Sequence, residues 1–212
     1  AVRAAQLVST DSVRMDVEAN GSATRLIVYT HDRSYLLSDI CGVLSVNDLN
    51  ILSADAYTRD DGVIVDIFSV EGLATDDTER ERQIEKLRNT FNRVWAGVDA
   101  VADLIEKHRR RWARRKTRAK AIAPHVVFDD QISEQYTVVD VFTVDRIGLL
   151  YDISRTISEH CHNIHMARIG TDADRVADAF YLTTEDGQKL NDPDVVERLR
   201  IDLLTVLDNR RP

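Results

Sequence analysis

Two stretches of the chain decide its fold: residues 32–58, DRSYLLSDICGVLSVNDLNILSADAYT, and residues 145–171, DRIGLLYDISRTISEHCHNIHMARIGT. Laid over one another without a gap, they are identical at 11 of their 27 positions. Unrelated segments of this length match at about two positions, so the chain contains an internal duplication. The identical pairs are Asp32/Asp145, Arg33/Arg146, Leu36/Leu149, Leu37/Leu150, Asp39/Asp152, Ile40/Ile153, Ser45/Ser158, Asn50/Asn163, Ile51/Ile164, Ala54/Ala167 and Thr58/Thr171.

Both copies predict the same order of elements. A strand rich in β-branched residues is followed by a polar turn, by a helix with apolar residues three and four apart, by two more strands, and by a second helix. This order is typical of a ferredoxin-like βαββαβ unit, so we predict an α+β protein of two tandem units. The predicted elements, first copy before second, are Thr24–Thr30 and Tyr136–Val144, Asn50–Thr58 and Asn163–Thr171, Val63–Glu71 and Arg175–Thr184, and the helices Asp76–Trp95 and Pro193–Leu207.

The last strand of each unit is the uncertain part of this pattern. We expect His125–Phe128 to be the fourth strand of the first unit, after a helical insertion at Val98–Lys120. The second unit shows no obvious fourth strand, so its sheet edge is either left short or filled by another strand. Val13–Val17 alternates well enough to fill it, in cis or from the partner in a homodimer. The expected domains are an N-terminal segment with an extra strand (1–22), a first domain (23–130, with the insertion at about 98–120) and a second domain (131–212).

Charge and composition limit the classes of function. The chain has 212 residues and a net charge of −8, yet residues 107–120 hold nine Lys or Arg and no acid. The acidic remainder disfavours nucleic acid, whereas the basic run could attract an anion. No apolar run approaches the ~18 residues of a membrane span. Cys41 and Cys161 lie far apart and are expected to be reduced thiols in a cytoplasmic protein.

The turn between the first strand and the first helix of each unit is the candidate binding site. The N–H groups at a helix start lack intrahelical acceptors and lie at the positive end of the helix dipole, so they can bind a carboxylate. Asp32 or Asp145, at the start of the turn, can accept a hydrogen bond from an ammonium or amide group. Gly148 lets a ligand approach the backbone closely. An amino acid carries both of these partners a few Å apart.

A family resemblance rests on the same turns. Residues 32–37 and 145–150 resemble the Asp-Arg-Pro-Gly-Leu-Leu turn of ACT domains, and the second-strand segments 50–58 and 163–171 fit as well. Together with the long insertion and the Val-Xaa-Phe-Asp strand at 126–129, they resemble the C-terminal tandem ACT region of bifunctional PII uridylyltransferase/uridylyl-removing enzymes. The resemblance covers roughly residues 12–208.

The resemblance implies a regulatory module that senses glutamine in nitrogen signalling. Its partners would be the amino acid, the catalytic domains of the same enzyme and the PII protein; this chain would hold no cofactor, and Mg²⁺ would belong to the catalytic part. The amino acid would bind between the turn of one unit and the second strand of a neighbouring unit. Carried over by position, the site residues are Asp32, Arg33, Tyr35 and Leu36 with Asn50 and Ile51, and Asp145, Arg146, Gly148 and Leu149 with Asn163 and Ile164.

The chain departs from the family pattern in its turns. The turn proline is Ser34 in the first copy and Ile147 in the second, and the turn glycine is Tyr35 in the first copy. Proline would pre-set φ, so we expect looser turns. The first copy should therefore be the poorer site and could be a structural partner only. Binding is expected mainly at Asp145–Leu150, or at a site shared between the two copies.

Other readings of the motifs remain open. His31-Asp32 and the cluster His160-Cys161-His162 with His165 contain metal-capable groups, but their spacing favours structural roles, and we predict no metal and no catalytic residue in this chain. The Gly-Ser nucleotidyltransferase motif is absent, so the chain would be a piece of that enzyme without its catalytic part. The alternatives are a stand-alone tandem ACT binding protein and an anion- or nucleic-acid-binding adaptor that uses residues 107–120.

Overall fold

The fold is described from a computed structural model, which covers residues 13–20, 23–58, 63–113, 123–160, 162–172 and 175–208. Outside the described residues lie residues 59–62, whose Asp61-Gly62 pair predicts a hairpin turn, together with Cys161 and residues 114–120 of the basic run.

The described residues form five helices and nine strands, which include the elements predicted for both copies. The helices are α1 (Leu36–Val46), α2 (Asp77–Trp95), α3 (Val101–Ala113), α4 (Leu149–Glu159) and α5 (Pro193–Leu207). The strands are β1 (Arg14–Asn20), β2 (Ala23–His31), β3 (Asn50–Thr58), β4 (Val63–Glu71), β5 (His125–Asp129), β6 (Thr137–Val144), β7 (His162–Arg168), β8 (Thr171–Asp172) and β9 (Arg175–Thr184).

The second helix of each unit begins at an aspartate cap. The carboxylate of Asp76 accepts a hydrogen bond from the N–H of Glu79 at 2.9 Å, and that of Asp192 accepts one from the N–H of Asp194 at 2.9 Å. Such caps satisfy N–H groups that the helix itself leaves without acceptors. Pro193 follows Asp192 at the first helical position, where its missing N–H is no loss.

The two units share one antiparallel sheet. Eight strands run in the order β1-β2-β4-β3-β7-β9-β6-β5, and the short β8 pairs with β9 off this path. The halves meet at the β3–β7 pair, where Ala54 lies opposite Ala167. These two alanines are equivalent in the repeat, so a pseudo-twofold axis passes between them. The predicted α+β class with two tandem ferredoxin-like units is confirmed.

The placement of the edge strands corrects two expectations. His125–Asp129 pairs with β6 and completes the second unit, not the first; Arg14–Asn20 pairs with β2 and completes the first unit, not the second. In each unit, therefore, the extra strand comes before the first repeat strand and forms a hairpin with it. The physical reason is the short connection, because closing a few residues into a hairpin loses little chain entropy.

The helices pack together over the sheet. The main core combines buried residues of all five helices with alternate residues of the strands, among them Phe68 and Phe180, which are equivalent in the repeat. A smaller cluster of Ile27, Tyr29 and Val63 is built from strand residues alone. Within the described ranges, no helix is long and apolar enough to cross a membrane.

Candidate ligand site

The two predicted turns have the same backbone geometry. Tyr35 and Gly148, at equivalent positions, both have a positive φ, of 64° and 72°. The same bonds close both turns: Leu36 N–H to Arg33 O at 3.2 Å, and Leu149 N–H to Arg146 O at 3.1 Å. Glycine adopts this conformation freely, whereas a tyrosine there carries backbone strain on the order of 1 kcal/mol.

The arginine of each turn points back into the protein. Arg33 pairs with Asp39 at 2.6 Å and lies over the ring of Trp95. Arg146 pairs with Asp152 and also donates to the carbonyl of Val206 at 2.9 Å. Both guanidinium groups therefore hold their turn against the following helix, while Nε of Arg33 has no hydrogen-bond partner among the described residues.

The turn of the second unit is held by an arginine from the helical insertion. Arg109 of α3 donates to the carbonyls of Ile147 and Gly148 at 3.0 and 3.3 Å, and its guanidinium lies 2.6 Å from the carboxylate of Asp152. Gly148 has no room for a side chain here, since an added Cβ would lie 2.9 Å from Nη2 of Arg109 and 3.0 Å from Cδ1 of Ile105. Arg109, one of the basic residues of 107–120, thus pairs with an acid of the same protein. The sequence did not indicate which arginine of the run would do so.

A cavity of about 60 Å³ lies where the second turn meets the first unit. Gly148 N–H donates to Oγ of Ser45 on α1 at 3.0 Å, which ties the two units together beside the cavity. The cavity brings together six of the predicted site residues: Asp145, Arg146, Gly148 and Leu149 from the turn, and Asn50 and Ile51 from β3.

This grouping differs from the one carried over by position. The second turn faces the second strand of the other unit, so it meets Asn50 and Ile51 and not Asn163 and Ile164. Asn163 is exposed and its amide donates to the carbonyl of Thr184 at 3.4 Å, and Ile164 is half-buried. The resemblance implies a site between a turn and the second strand of a neighbouring unit, and the packing of the units through β3–β7 and α1–α4 brings the second turn beside β3.

The cavity also contains an acid that the motif comparison did not select. Asp178 of β9 lines it, is 1% exposed, and accepts a hydrogen bond from the N–H of Gly170 on Oδ1 at 3.2 Å. Its Oδ2 has no hydrogen-bond partner among the described residues. Burial, then the nearby charge of Asp145, raises the pKa of Asp178 to about 7, against the lowering effect of the Gly170 N–H. One feature of the sequence could have identified Asp178: in both copies, an acid lies on the buried face of an apolar strand.

The same acid is present in the first unit. Asp66 of β4 is 2% exposed, and its Oδ1 has no hydrogen-bond partner within the described ranges. Burial, then the charge of Asp32, raises the pKa of Asp66 to about 7. Each unit thus places a buried acid of its third strand near the acid that begins its turn.

The first turn is nevertheless filled differently. The ring of Tyr35 lies 4.9 Å below the guanidinium of Arg155 on α4, and Leu36 is buried in the core. Arg155 is equivalent to Gly42 of α1, against which α3 and Tyr151 pack so closely that a Cβ would lie 2.2 Å from Cγ1 of Val101. Tyr35 and Arg155 therefore fill the space beside the first turn. Their equivalents beside the second turn, Gly148 and Gly42, have no side chains, and α3 packs against them instead.

The histidine cluster has structural contacts. His160 ends α4 and lies 2.8 Å from a carboxylate oxygen of Asp202. His165 packs beside the ring of Tyr136 and its Nε2 lies 2.9 Å from Oγ1 of Thr183. In the part of the chain that the structure describes, no three His, Cys, Asp or Glu residues are grouped as a metal site would require.

Family models match both halves of the chain. The model described as "ACT domain" matches residues 24–89, and the one described as "ACR9-like, ACT-like domain" matches residues 125–209. The second match begins at β5, in agreement with the pairing of that strand in the sheet. The chain is a tandem pair of ACT-type domains.

Relatives of the chain include bifunctional uridylyltransferase/uridylyl-removing enzymes. The chain is 34% identical over 173 residues to that of Rhodospirillum rubrum, covering 80% of this chain and 18% of the relative. It is 33% identical over 184 residues to that of Gluconobacter oxydans (87% and 19%), and 32% identical over 189 residues to that of Bradyrhizobium sp. ORS 278 (87% and 20%). The match is to the ACT-containing C-terminal region of these enzymes, and the chain spans about a fifth of their length.

Proposed function

We propose that this chain is a regulatory module that binds an amino acid, with glutamine as the first candidate, and thereby controls a uridylyltransferase/uridylyl-removing enzyme in nitrogen signalling. The observation that carries the proposal is the cavity between the second turn and β3. It lies at a contact between two units, where a bound molecule can change how the units pack.

The chemistry of the cavity suits a molecule with both an acidic and a basic end. Leu150 and Tyr151, in the first turn of α4, line the cavity. Their N–H groups belong to the set that a helix leaves without intrahelical acceptors, and the helix dipole favours an anion there. Asp145 and Asp178 lie on the same cavity and offer carboxylate oxygens to an ammonium or amide group.

The small size of the cavity supports a mechanism in which binding changes the packing of the units. Sites for small organic ligands usually enclose about 300–1,000 Å³, and this one encloses about 60 Å³. An amino acid such as glutamine therefore enters only when the second turn and β3 move apart. A ligand that binds the opened arrangement better shifts the population toward it, which is a regulatory action and needs no catalytic group.

In this proposal the module acts on partners that this chain does not contain. The catalytic domains of the enzyme, with their Mg²⁺, would respond to a change in the packing of the two units. PII would be the protein that they modify in the cytoplasm. Within the described residues, β1 and β5 are the outer strands of the sheet, and either edge is suited to pairing in a homodimer.

Calorimetric titration of the folded chain tests the proposal, with glutamine, glutamate, asparagine, glycine and alanine as separate ligands. We expect saturable heat with glutamine, and the absence of heat with all five would overturn amino-acid sensing. The gene product separates the attached from the stand-alone form, because an open reading frame of about this length would contradict the link to the enzyme.

A further inference from the structure

We propose that the buried carboxyl group of Asp178 selects the ligand of this cavity by accepting a hydrogen bond from an ammonium or amide nitrogen. The inference rests on the proposed function and adds to it a recognition group and a ligand class. That class consists of small carboxylates carrying a primary ammonium or a carboxamide, as distinct from their hydroxy or oxo analogues.

The geometry of Asp178 leaves one oxygen for a ligand. Gly170 N–H donates to Oδ1 and so orients the carboxyl group, while Oδ2 is buried at the cavity without a hydrogen-bond partner among the described residues. A buried polar atom without a partner is unfavourable, and such atoms are few in folded proteins. A donor that enters the cavity would satisfy it.

The surrounding groups favour a donor over an acceptor. The turn contributes the carboxylate of Asp145 and the guanidinium of Arg146, which already serves Asp152 and the carbonyl of Val206. From α1, Cys41 also lines the cavity; burial, then the charges of Asp66 and Asp178, raises the pKa of its thiol, so it stays neutral. The uncommitted charge at the cavity is therefore negative.

Charges behind the turn do not change this balance. Arg109 of α3 is paired with Asp152 of α4, and its other hydrogen bonds go to backbone carbonyls. The hydroxyl of Ser45, on α1, accepts the N–H of Gly148. Since the cationic groups around the cavity are engaged, a ligand nitrogen is the partner that Oδ2 of Asp178 can gain.

This role makes binding depend on pH in a defined direction. The pKa of Asp178 is about 7 in the empty cavity, because burial and Asp145 disfavour its charge. An ammonium or amide donor binds the ionised carboxylate more tightly than the neutral acid, so tight binding below pH 7 is coupled to the release of a proton. Affinity should therefore rise about tenfold per pH unit up to about pH 7 and level off above it.

The experiment is calorimetry of the 212-residue chain with glutamine at pH 6, 7 and 8, in two buffers with different ionisation enthalpies. The wild type should bind more tightly as pH rises and should release a proton at pH 6, visible as a buffer-dependent heat. Asp178→Asn keeps the shape of the side chain and should lose both the pH dependence and at least tenfold in affinity at pH 8. The hydroxy acid with the glutamine skeleton should bind more weakly than glutamine.

Asp140→Asn is the matched control. Asp140 lies on the adjacent strand β6, its pKa is also raised by burial, then by Asp129, and it does not line the cavity. It should bind like the wild type. Binding by the wild type that is independent of pH, or an Asp178→Asn profile equal to that of the wild type, would overturn the inference and leave the proposed function standing. No binding of glutamine by the wild type at any pH would contradict glutamine sensing and the inference together.

Discussion

The ring of Tyr35 lies 4.9 Å from the guanidinium of Arg155, and the counterparts of these two residues in the repeat are both glycines. Gly148 and Gly42 stand where Tyr35 and Arg155 would be in an exactly symmetric molecule, and α3 packs against both of them. The helical insertion is thus accommodated on one side of the pseudo-twofold axis only. Because of this asymmetry, only the second turn is bonded to α3 among the described residues, and a cavity lies between this turn and the first unit.

Gly148→Ala should destabilise the protein more than Gly187→Ala. Both glycines have a positive φ, but an added Cβ meets Arg109 and Ile105 at position 148 and nothing within 4 Å at position 187. We expect a loss of roughly 2–3 kcal/mol at 148 against roughly 1 kcal/mol at 187, measured by urea unfolding. Equal losses would show that α3 does not restrict the turn.

Ser45→Ala should destabilise the protein more than Ser158→Ala, its repeat equivalent. Ser45 accepts the buried Gly148 N–H from the other unit, whereas Ser158 donates to the carbonyl of Ser154 within its own helix. Removing Ser45 Oγ leaves a buried N–H without its acceptor, which costs about 1–3 kcal/mol. The free energy of unfolding of the two variants measures this difference, and a larger loss at Ser158 would contradict it.

Asn50→Ala and Asn163→Ala test which strand takes part in binding. Asn50 lines the cavity with the second turn, and Asn163 bonds to Thr184 away from it. We expect glutamine affinity to fall severalfold to tenfold in Asn50→Ala and to stay unchanged in Asn163→Ala, measured by calorimetry at pH 8. The reverse order would place the ligand at the first turn, beside Tyr35.

Stability should decrease as pH rises from about 4 to about 7, in part through Asp66. Its pKa in the folded protein is about 7, above the ordinary value of 3.8, because it is buried and near Asp32. Between these values the folded state binds more protons than the unfolded state, so the free energy of unfolding falls with rising pH and levels off above about 7.

Asp66→Asn removes this titration. The variant should be more stable than the wild type at pH 8, by on the order of 1–3 kcal/mol, and the difference should shrink toward pH 4. Urea unfolding at several pH values measures it. A variant whose stability follows the same pH curve as the wild type would show that Asp66 ionises normally in the folded protein.

The repeat made most of the fold predictable. Local patterns are strong where alternation or three-to-four spacing runs over a whole element, as in Val63–Glu71 and Pro193–Leu207, and both elements have the predicted ends. The predicted positions of the edge strands were wrong, because an alternating pattern identifies a strand but not the strand with which it pairs. His125–Phe128 follows the first unit in the chain, yet a seven-residue connection brings it beside β6.

The candidate site was predictable in its parts and not in its grouping. The two Asp-Arg turns and the Asn-Ile starts of the second strands were visible as identical pairs, and the resemblance implied a site between neighbouring units. Which turn meets which strand depends on how the units pack. Asp66 and Asp178 occupy equivalent positions in the third strands of the two copies, yet nothing local indicates that the carboxyl group of Asp178 is buried at a cavity. Burial of a polar side chain is a property of the surroundings, to which distant segments contribute.

The amino-acid sequence by itself determined that the chain is a duplicated ferredoxin-like unit with an Asp-Arg turn in each copy, because hydrophobic periodicity and repeated motifs are local properties. The tertiary structure alone decided that β1 and β5 complete opposite ends of the sheet, that Arg109 holds the second turn, and that this turn shares a cavity with Asn50, Ile51 and Asp178. The physical reason is that each of these contacts joins segments distant in the chain, and which of them form depends on how all the elements pack together.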